Sequence, residues 1–295
     1  MVKFKRFMKN LFGNSKWDIS FNICNYLFFL VVAIIMLYPF WYVLETSFEV
    51  TKIVNGVPTL AVGLKAYATI FKNDGLVNAF LLSVYVVIVH VILHLVAVFT
   101  ASYPLSRKHF IGRKELLLFL IITMLFSGGL IPFYVLITDL GMRNDVSVYI
   151  IPGVYSAFDI IICKNYLQSI PENLEEAARI DGANDIDVLL RIYLPLSGPI
   201  LATIALWAGV NKWNNYMTGL LYIDNRDLWV IQNFLRNILI TTSSASGGVV
   251  DTEVLNMSES VKMAAIVISM IPIIIVYPFV QKHFVKGMIL GSIKG

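Results

Sequence analysis

Three groups of polar residues stand out in a chain that is 58% hydrophobic and only 14% charged. The first is the run 172–195, ENLEEAARIDGANDIDVLLRIYLP, whose charged side chains lie between two apolar stretches and need water or a docked partner. The second is Lys212-Trp213-Asn214-Asn215-Tyr216. Its amides can exchange hydrogen bonds with hydroxyls, and its aromatic faces can meet the C–H side of a sugar ring. The other reading of that cluster is an interfacial aromatic belt with a lysine reaching toward the surface. The third group is His90 and His94, at i and i+4, a spacing that puts two imidazoles on one helix face for metal binding, proton relay or hydrogen bonding between helices. No third ligand or acid accompanies them in their own apolar stretch, so interhelical hydrogen bonding is the expected role.

Other chemistry lacks its motif. A phosphate cradle needs GxxxxGK[ST], and no glycine here is followed by Lys and then Ser or Thr. If ATP drives this protein, another polypeptide binds it. HExxH, CxxC and GxSxG are absent too, so hydrolase and metal readings have no support, and no cofactor or metal is expected on this chain. Cys24 and Cys163 are the only cysteines, both in or beside apolar stretches, and no disulfide is expected.

The elements that position these residues must be membrane helices. Soluble domains carry roughly 25% charged residues, so the composition implies an all-α polytopic membrane protein. About twenty residues cross a bilayer, and six spans can be drawn at about 22–44, 77–101, 115–137, 146–166, 199–221 and 262–281. Ser127-Gly128-Gly129 with Pro132 interrupts the third and Pro272 the sixth, so kinks are expected there. The apolar run 26–44 is too long for a signal peptide and is read as a retained first span. Residues 1–21 and 282–295 then form terminal segments, and 222–261 the longest loop. The tip of that loop, 241–248, has the small, polar composition of a mobile turn.

Lys3, Lys5, Arg6, Lys9, Lys16, Arg107, Lys108, Arg113, Lys114, Lys164, Arg179, Arg191, Lys282, Lys286 and Lys294 fall on one side of these spans. Lys52, Lys65, Lys72, Arg143, Arg226, Arg236 and Lys262 fall on the other. The positive-inside rule makes the first side cytoplasmic, so both termini and the 172–195 segment of this multi-pass cell-membrane protein are expected there. The net charge of +4 is thus a topology signal, and no basic patch suits a nucleic acid.

Within that segment, Ser169-Ile170-Pro171-Glu172 fits a capping box, predicting a short helix that starts there. Leu174, Ala177, Ala178 and Asp181 are expected on one side of it, with the alanines allowing close approach. Gly182 supplies a turn with positive φ, and Asn184 with Asp187 opens a second helix, which Pro195 ends.

Glu176-Ala177-Ala178, then Gly182, then Ile192, Leu194 and Pro195 resemble the EAA loop of the membrane subunits of binding-protein-dependent ABC importers. The extended form EEAARIDGA is similar to the carbohydrate, maltose-type branch. Further likeness lies in Tyr38-Pro39-Phe40, in Tyr277-Pro278-Phe279 and in the tail around Gln281 to Gly287 and Gly291 to Gly295, so it covers nearly the whole chain. Residues 228–236 and the long fifth outer loop look most like the subgroup often called LplC- or YtcP-like, associated with complex oligosaccharides. The resemblance implies a transport subunit, not an enzyme, that moves an oligosaccharide by alternating access. It implies as partners a second homologous permease, an ATPase dimer carrying ATP and Mg, an extracytoplasmic solute-binding protein and membrane lipid.

It also implies roles for residues. Glu175, Glu176, Ala177, Ala178, Asp181, Gly182, Ile192, Leu194 and Pro195 would form the ATPase-coupling loop between the fourth and fifth spans. Lys212, Trp213, Asn214, Asn215 and Tyr216 would line the substrate pathway. Ser243, Ser244, Ser246, Gly247 and Gly248 would meet the binding protein. An ion-coupled secondary transporter is the alternative, given His90, His94, Asp159 and Lys212, but no repeat symmetry accompanies them. A permease for a non-sugar solute and a membrane-embedded enzyme are further alternatives, the latter without the clustered carboxylates or histidines it would need.

Overall fold

The computed structural model describes residues 16–54, 57–243 and 259–292, with side chains described for 20–49, 61–240 and 259–278. The chain forms two compact units, Met1–Ile70 with Met257–Val267, and Phe71–Asn256 with Ile268–Gly295.

The first unit is led by α1 (Lys16–Ser47), whose side chains from Phe21 to Tyr42 are mostly exposed and apolar all round, as for a helix that faces lipid or another subunit. Beyond it the chain departs locally from helix. Strands β1 (Glu49–Val54) and β2 (Val57–Val62) pair antiparallel, with Glu49 opposite Val62. Helix α2 (Lys65–Phe71) follows, and its Tyr67 hydroxyl meets Ser47 Oγ at 2.7 Å.

The second unit is built on α3 (Asp74–Ser106). Asn73 caps it by accepting from the Leu76 N–H at 2.9 Å. Its buried residues Leu76, Ala79, Ser83, Val86, His90, His94 and Ala97 recur every three or four positions, which makes one continuous seam. At 1.5 Å per residue the helix is about 50 Å long, more than the roughly 30 Å hydrocarbon core. It is thus long enough to cross that core with length to spare.

Among the described residues three helices are long and apolar enough to cross a membrane unbroken: the Ser20–Ser47 part of α1, α3, and the Glu259–Pro278 part of α13 (Glu259–Ser292). The other three expected spans are each interrupted. The third is α4 (Arg113–Leu125) and α5 (Leu130–Asp139), bent by 111° at Ser127-Gly128-Gly129, where Gly129 has φ 86°. A sharp break replaces the expected kink because this stretch leaves the helical conformation altogether. The fourth is α6 (Ser147–Ile150), an unwound stretch through Pro152 and Gly153, and α7 (Ala157–Ser169). The fifth is α10 (Gly198–Trp213) and α11 (Met217–Tyr222).

Between α7 and α10 lie α8 (Asn173–Ile180) and α9 (Asp185–Leu196). The loop expected at 222–261 is not open chain throughout: α12 (Ile231–Ser243) occupies its first half, burying Ile231, Leu235 and Ile238. The expected tail at 282 is likewise helical, since α13 continues to Ser292.

Two clusters of buried residues lie among the described residues of the second unit. One, containing Val98, Leu105, Cys163, Leu167, Val188, Tyr193 and Ile204, lies where α3, α7, α9 and α10 meet. The other, containing Val86, Ile137, Tyr149, Tyr222 and Val230, gathers at the opposite half of α3.

Candidate functional site

The 172–195 segment folds as two short helices around a glycine turn. Gly182 has φ 88°, its N–H donates to Arg179 O at 3.1 Å, and the Ala183 N–H donates to Ala178 O at 2.9 Å. That pair of bonds is a Schellman ending. Asn184 Oδ1 then accepts from the Ile186 and Asp187 N–H groups, both at 2.9 Å, which starts α9 as expected. Residues 188–193 of α9 wind as a π turn. Pro195 has no N–H to offer the Arg191 carbonyl, which loosens the ladder there. The chain bends by 75° at Ser197, two residues after Pro195.

The expected capping box does not form. Ser169 ends α7, and its hydroxyl donates back to Tyr166 O at 2.7 Å. Glu172 reaches Lys108 at 2.9 Å instead, and that ammonium holds its carboxyl below the usual carboxylate range. The two alanines also part company. Ala178 packs against the core and Ala177 is exposed, because consecutive helical residues are turned about 100° apart.

The same rotation separates the glutamates. The Glu175 side chain is only 12% exposed and pairs with Arg107, while Arg179 meets it at 3.0 Å and also pairs with Asp185. Those two carboxylates push Arg179 further up, Asp185 contributing first. Tyr193 donates to Glu175 at 3.3 Å, and burial raises its phenol. Glu176 is exposed, and its carboxylate has no partner among the described residues. Ile180, one turn further along α8, is 86% exposed, Ile186 at the start of α9 is 67% exposed, and Asp181 and Ala177 are exposed as well. Of the remaining loop residues, Ile192 packs on the core, while Leu194 and Pro195 are exposed. A groove of about 300 Å³ beside α8 is lined by Arg107, Lys108, Glu172, Glu175, Glu176 and Arg179.

Lys212 and Trp213 are taken up by packing. Lys212 Nζ donates at 2.8 Å to both Tyr149 O and Pro152 O. The Trp213 indole donates to Ser269 O at 3.0 Å and meets Phe80 edge-on. Asn214 is exposed and donates to Val210 O at 3.0 Å. Tyr216 is 40% exposed, with the Arg236 guanidinium 5.7 Å from its ring centre. Asn215 alone of the five lines a cavity of about 600 Å³, with Ser127, Gly128, Gly129, Thr218 and Tyr222, at the break between α4 and α5. The Ser127 and Thr218 contributions were not foreseen, although the glycine pair marked that break. Ser243 ends α12, and Ser244, Ser246, Gly247 and Gly248 lie outside the described residues.

His90 and His94 hydrogen-bond between helices, as expected. Their Nδ1 atoms donate to Ile150 O at 2.7 Å and Val154 O at 2.8 Å, carbonyls freed by the unwound stretch of the fourth span. The acid missing from their own helix comes from α7: His94 Nε2 lies 3.0 Å from Asp159 Oδ2. Among the described residues no three His, Cys, Asp or Glu side chains are placed to hold a metal.

Residues 7–290 match the family described as the binding-protein-dependent transport system inner membrane component. The chain belongs to that family. It is 40% identical over 284 residues to the polygalacturonan/rhamnogalacturonan transport system permease protein YtcP of Bacillus subtilis, covering 93% of this chain and 98% of that one. It is 38% identical to Protein LplC of the same organism, over 96% and 97% of the two chains. Among solved structures, a bacterial ABC transporter involved in import of the acidic polysaccharide alginate superimposes with a TM-score of 0.82 at 30% identity, over 92% of this chain and 99% of that chain. The protein is therefore a multi-pass membrane permease subunit of an ABC importer, and an ion-coupled carrier is not favoured.

Proposed function

We propose that this chain carries an oligosaccharide into the cytoplasm as one of two homologous permease subunits, driven by a separate ATPase dimer that binds ATP and Mg. The sugar assignment rests on relatives that transport polygalacturonan or rhamnogalacturonan and alginate. An extracytoplasmic solute-binding protein would deliver the substrate. Both termini would face the cytoplasm, since the Arg107, Lys108 and Arg179 end of the second unit is its basic end.

One observation carries the coupling role: α8 and α9 present Ile180, Ile186, Ala177 and an unpartnered Glu176 to the outside of that end. Exposed apolar side chains around one free carboxylate suit a protein surface bearing a complementary cation. ATP-driven closure of the ATPases would push on this face, and the broken spans would open and shut the path. The path itself is proposed along the cavity at Asn215, Thr218, Ser127 and Tyr222, where amide and hydroxyl groups can bind sugar hydroxyls.

Co-purification of the ATPase with the Ile180→Asp variant tests the docking face. Desolvating a carboxylate at the contact centre should strip the ATPase from the permease pair. Wild-type recovery of the ATPase would remove α8 from the interface.

A further inference from the structure

We infer that the Arg107–Glu175 pair is a positioning joint that makes α3 move with α8, an inference that rests on α8 being the helix the ATPase pushes. Glu175 and Glu176 are neighbours with opposite duties. Glu176 faces outward without a partner, whereas Glu175 is held from three sides by Arg107, Tyr193 and Arg179.

Arg107 is the residue that ends α3, and its backbone N–H closes the last turn onto Pro104 O. Its guanidinium packs against two rings that meet each other edge-on, 4.5 Å from the centre of Tyr103 and 4.3 Å from that of Tyr193. Nε and Nη2 are buried without a hydrogen-bond partner among the described residues, and the nearby ring faces offer the charge cation–π contact instead. A guanidinium packed against two rings and paired with a largely buried carboxylate has little freedom to swing.

The covalent routes out of α8 are softer. Toward α9 the chain passes Gly182, exposed and with open space where a side chain would stand. Toward α7 it passes Pro171 and Glu172, where the ion pair with Lys108 is about 70% exposed on both sides. Arg107 is thus the firm link from α8 to α3, while the Tyr193 bond, the Arg179–Asp185 pair and the packing of Ala178 tie α8 to α9 and the core. Further along α3, His90 and His94 hold the freed carbonyls of the fourth span. A shift of α8 would thus reach the broken span by way of α3.

The test uses the full importer, both permeases with ATPase and binding protein, in proteoliposomes. Substrate taken up per ATP hydrolysed is measured at equal recovered complex for Glu175→Gln, Glu175→Asp, Arg107→Met and the Glu175→Gln/Arg107→Met double variant. The joint predicts a drop of tenfold or more in uptake per ATP for either single neutral variant, no further drop in the double variant, and partial recovery with Glu175→Asp. Spin labels at positions 109 and 173, both exposed, with Cys24 and Cys163 replaced by alanine, read the joint directly. Their separation should stay fixed through the ATP cycle with Glu175 present, and change with nucleotide in Glu175→Gln. Unchanged uptake per ATP, additive losses, or a label distance indifferent to Glu175 would overturn the inference. Loss of the ATPase from Glu175→Gln would also overturn it, making Glu175 a docking residue. Failure of the docking reading is separate, because it shows as ATPase retained by Ile180→Asp.

Discussion

Lys212 of α10 donates to the Pro152 carbonyl at 2.8 Å, at the point where the fourth span unwinds. Pro152 and Gly153 break the helix, and the stranded carbonyls of Tyr149, Ile150, Pro152 and Val154 are met by Lys212, His90 and His94 from two other helices. In a bilayer, where no water reaches these groups, an irregular stretch survives only with such partners.

Lys212→Met should therefore destabilise the protein. Each carbonyl left without a donor costs about 1–3 kcal/mol, and two lose their ammonium. The expected outcome is a lower thermal midpoint of the detergent-solubilised complex. An unchanged midpoint would mean that the carbonyls find other donors.

Gly219 should tolerate no side chain. A Cβ there would stand 2.2 Å from Asn233 Oδ1 and 2.6 Å from the Tyr149 hydroxyl, and the Asn233 amide is pinned by donating to Tyr216 O at 2.9 Å. Overpacking of this kind costs about 1–3 kcal/mol. Gly219→Ala should lower membrane abundance, whereas Gly198→Ala, where nothing lies within 4 Å, should not crowd its surroundings.

At Gly182 the cost is conformational only, since no atom lies within 4 Å of the added carbon, yet φ is 88°. A left-handed L-residue costs about 1–2 kcal/mol, and a β-branched one fares worse. Gly182→Val should lower uptake more than Gly182→Ala, with the subunit still in the membrane. Equal, wild-type uptake from both would show that the angle between α8 and α9 is not used.

Asn215 and Trp213 separate pathway from packing. Asn215→Asp should cut sugar uptake with little change in abundance, because it removes the amide donors from the cavity wall and keeps the oxygen that accepts from the Thr218 N–H at 3.0 Å. Trp213→Ala should do the reverse, since emptying a buried indole site costs about 3–5 kcal/mol. Asn214→Leu should be quiet in both measurements. Uptake measured beside abundance for the three variants distinguishes these outcomes.

Local signals were readable in the sequence. The Gly182 turn and the Asn184 cap depend on residues within five positions, and both form as the spacing implies. The inward turn of Glu175 depends on Arg107, 68 residues away, and on a ring pair that no window contains. The misread cap at Ser169 has the same origin: Lys108 takes the Glu172 carboxylate that a capping box would need. Helix α12 did carry a signal, with Ile231, Leu235 and Ile238 at i, i+4 and i+7, masked by the polar composition of the loop tip beyond it. The β1–β2 hairpin was foreshadowed by Asn55-Gly56 between β-branched runs. His90 and His94 could be placed only once the unwound fourth span supplied their acceptors.

The central claim is ATP-driven import, and one measurement addresses it most directly. The permease pair, ATPases and binding protein are reconstituted in proteoliposomes, and uptake of a labelled oligosaccharide that the binding protein holds is followed with ATP, with a non-hydrolysable ATP analogue, and with imposed ion gradients alone. Uptake that requires hydrolysable ATP, survives collapse of every ion gradient and is lost with Ile180→Asp is the expected result. Accumulation driven by an ion gradient without ATP would contradict it.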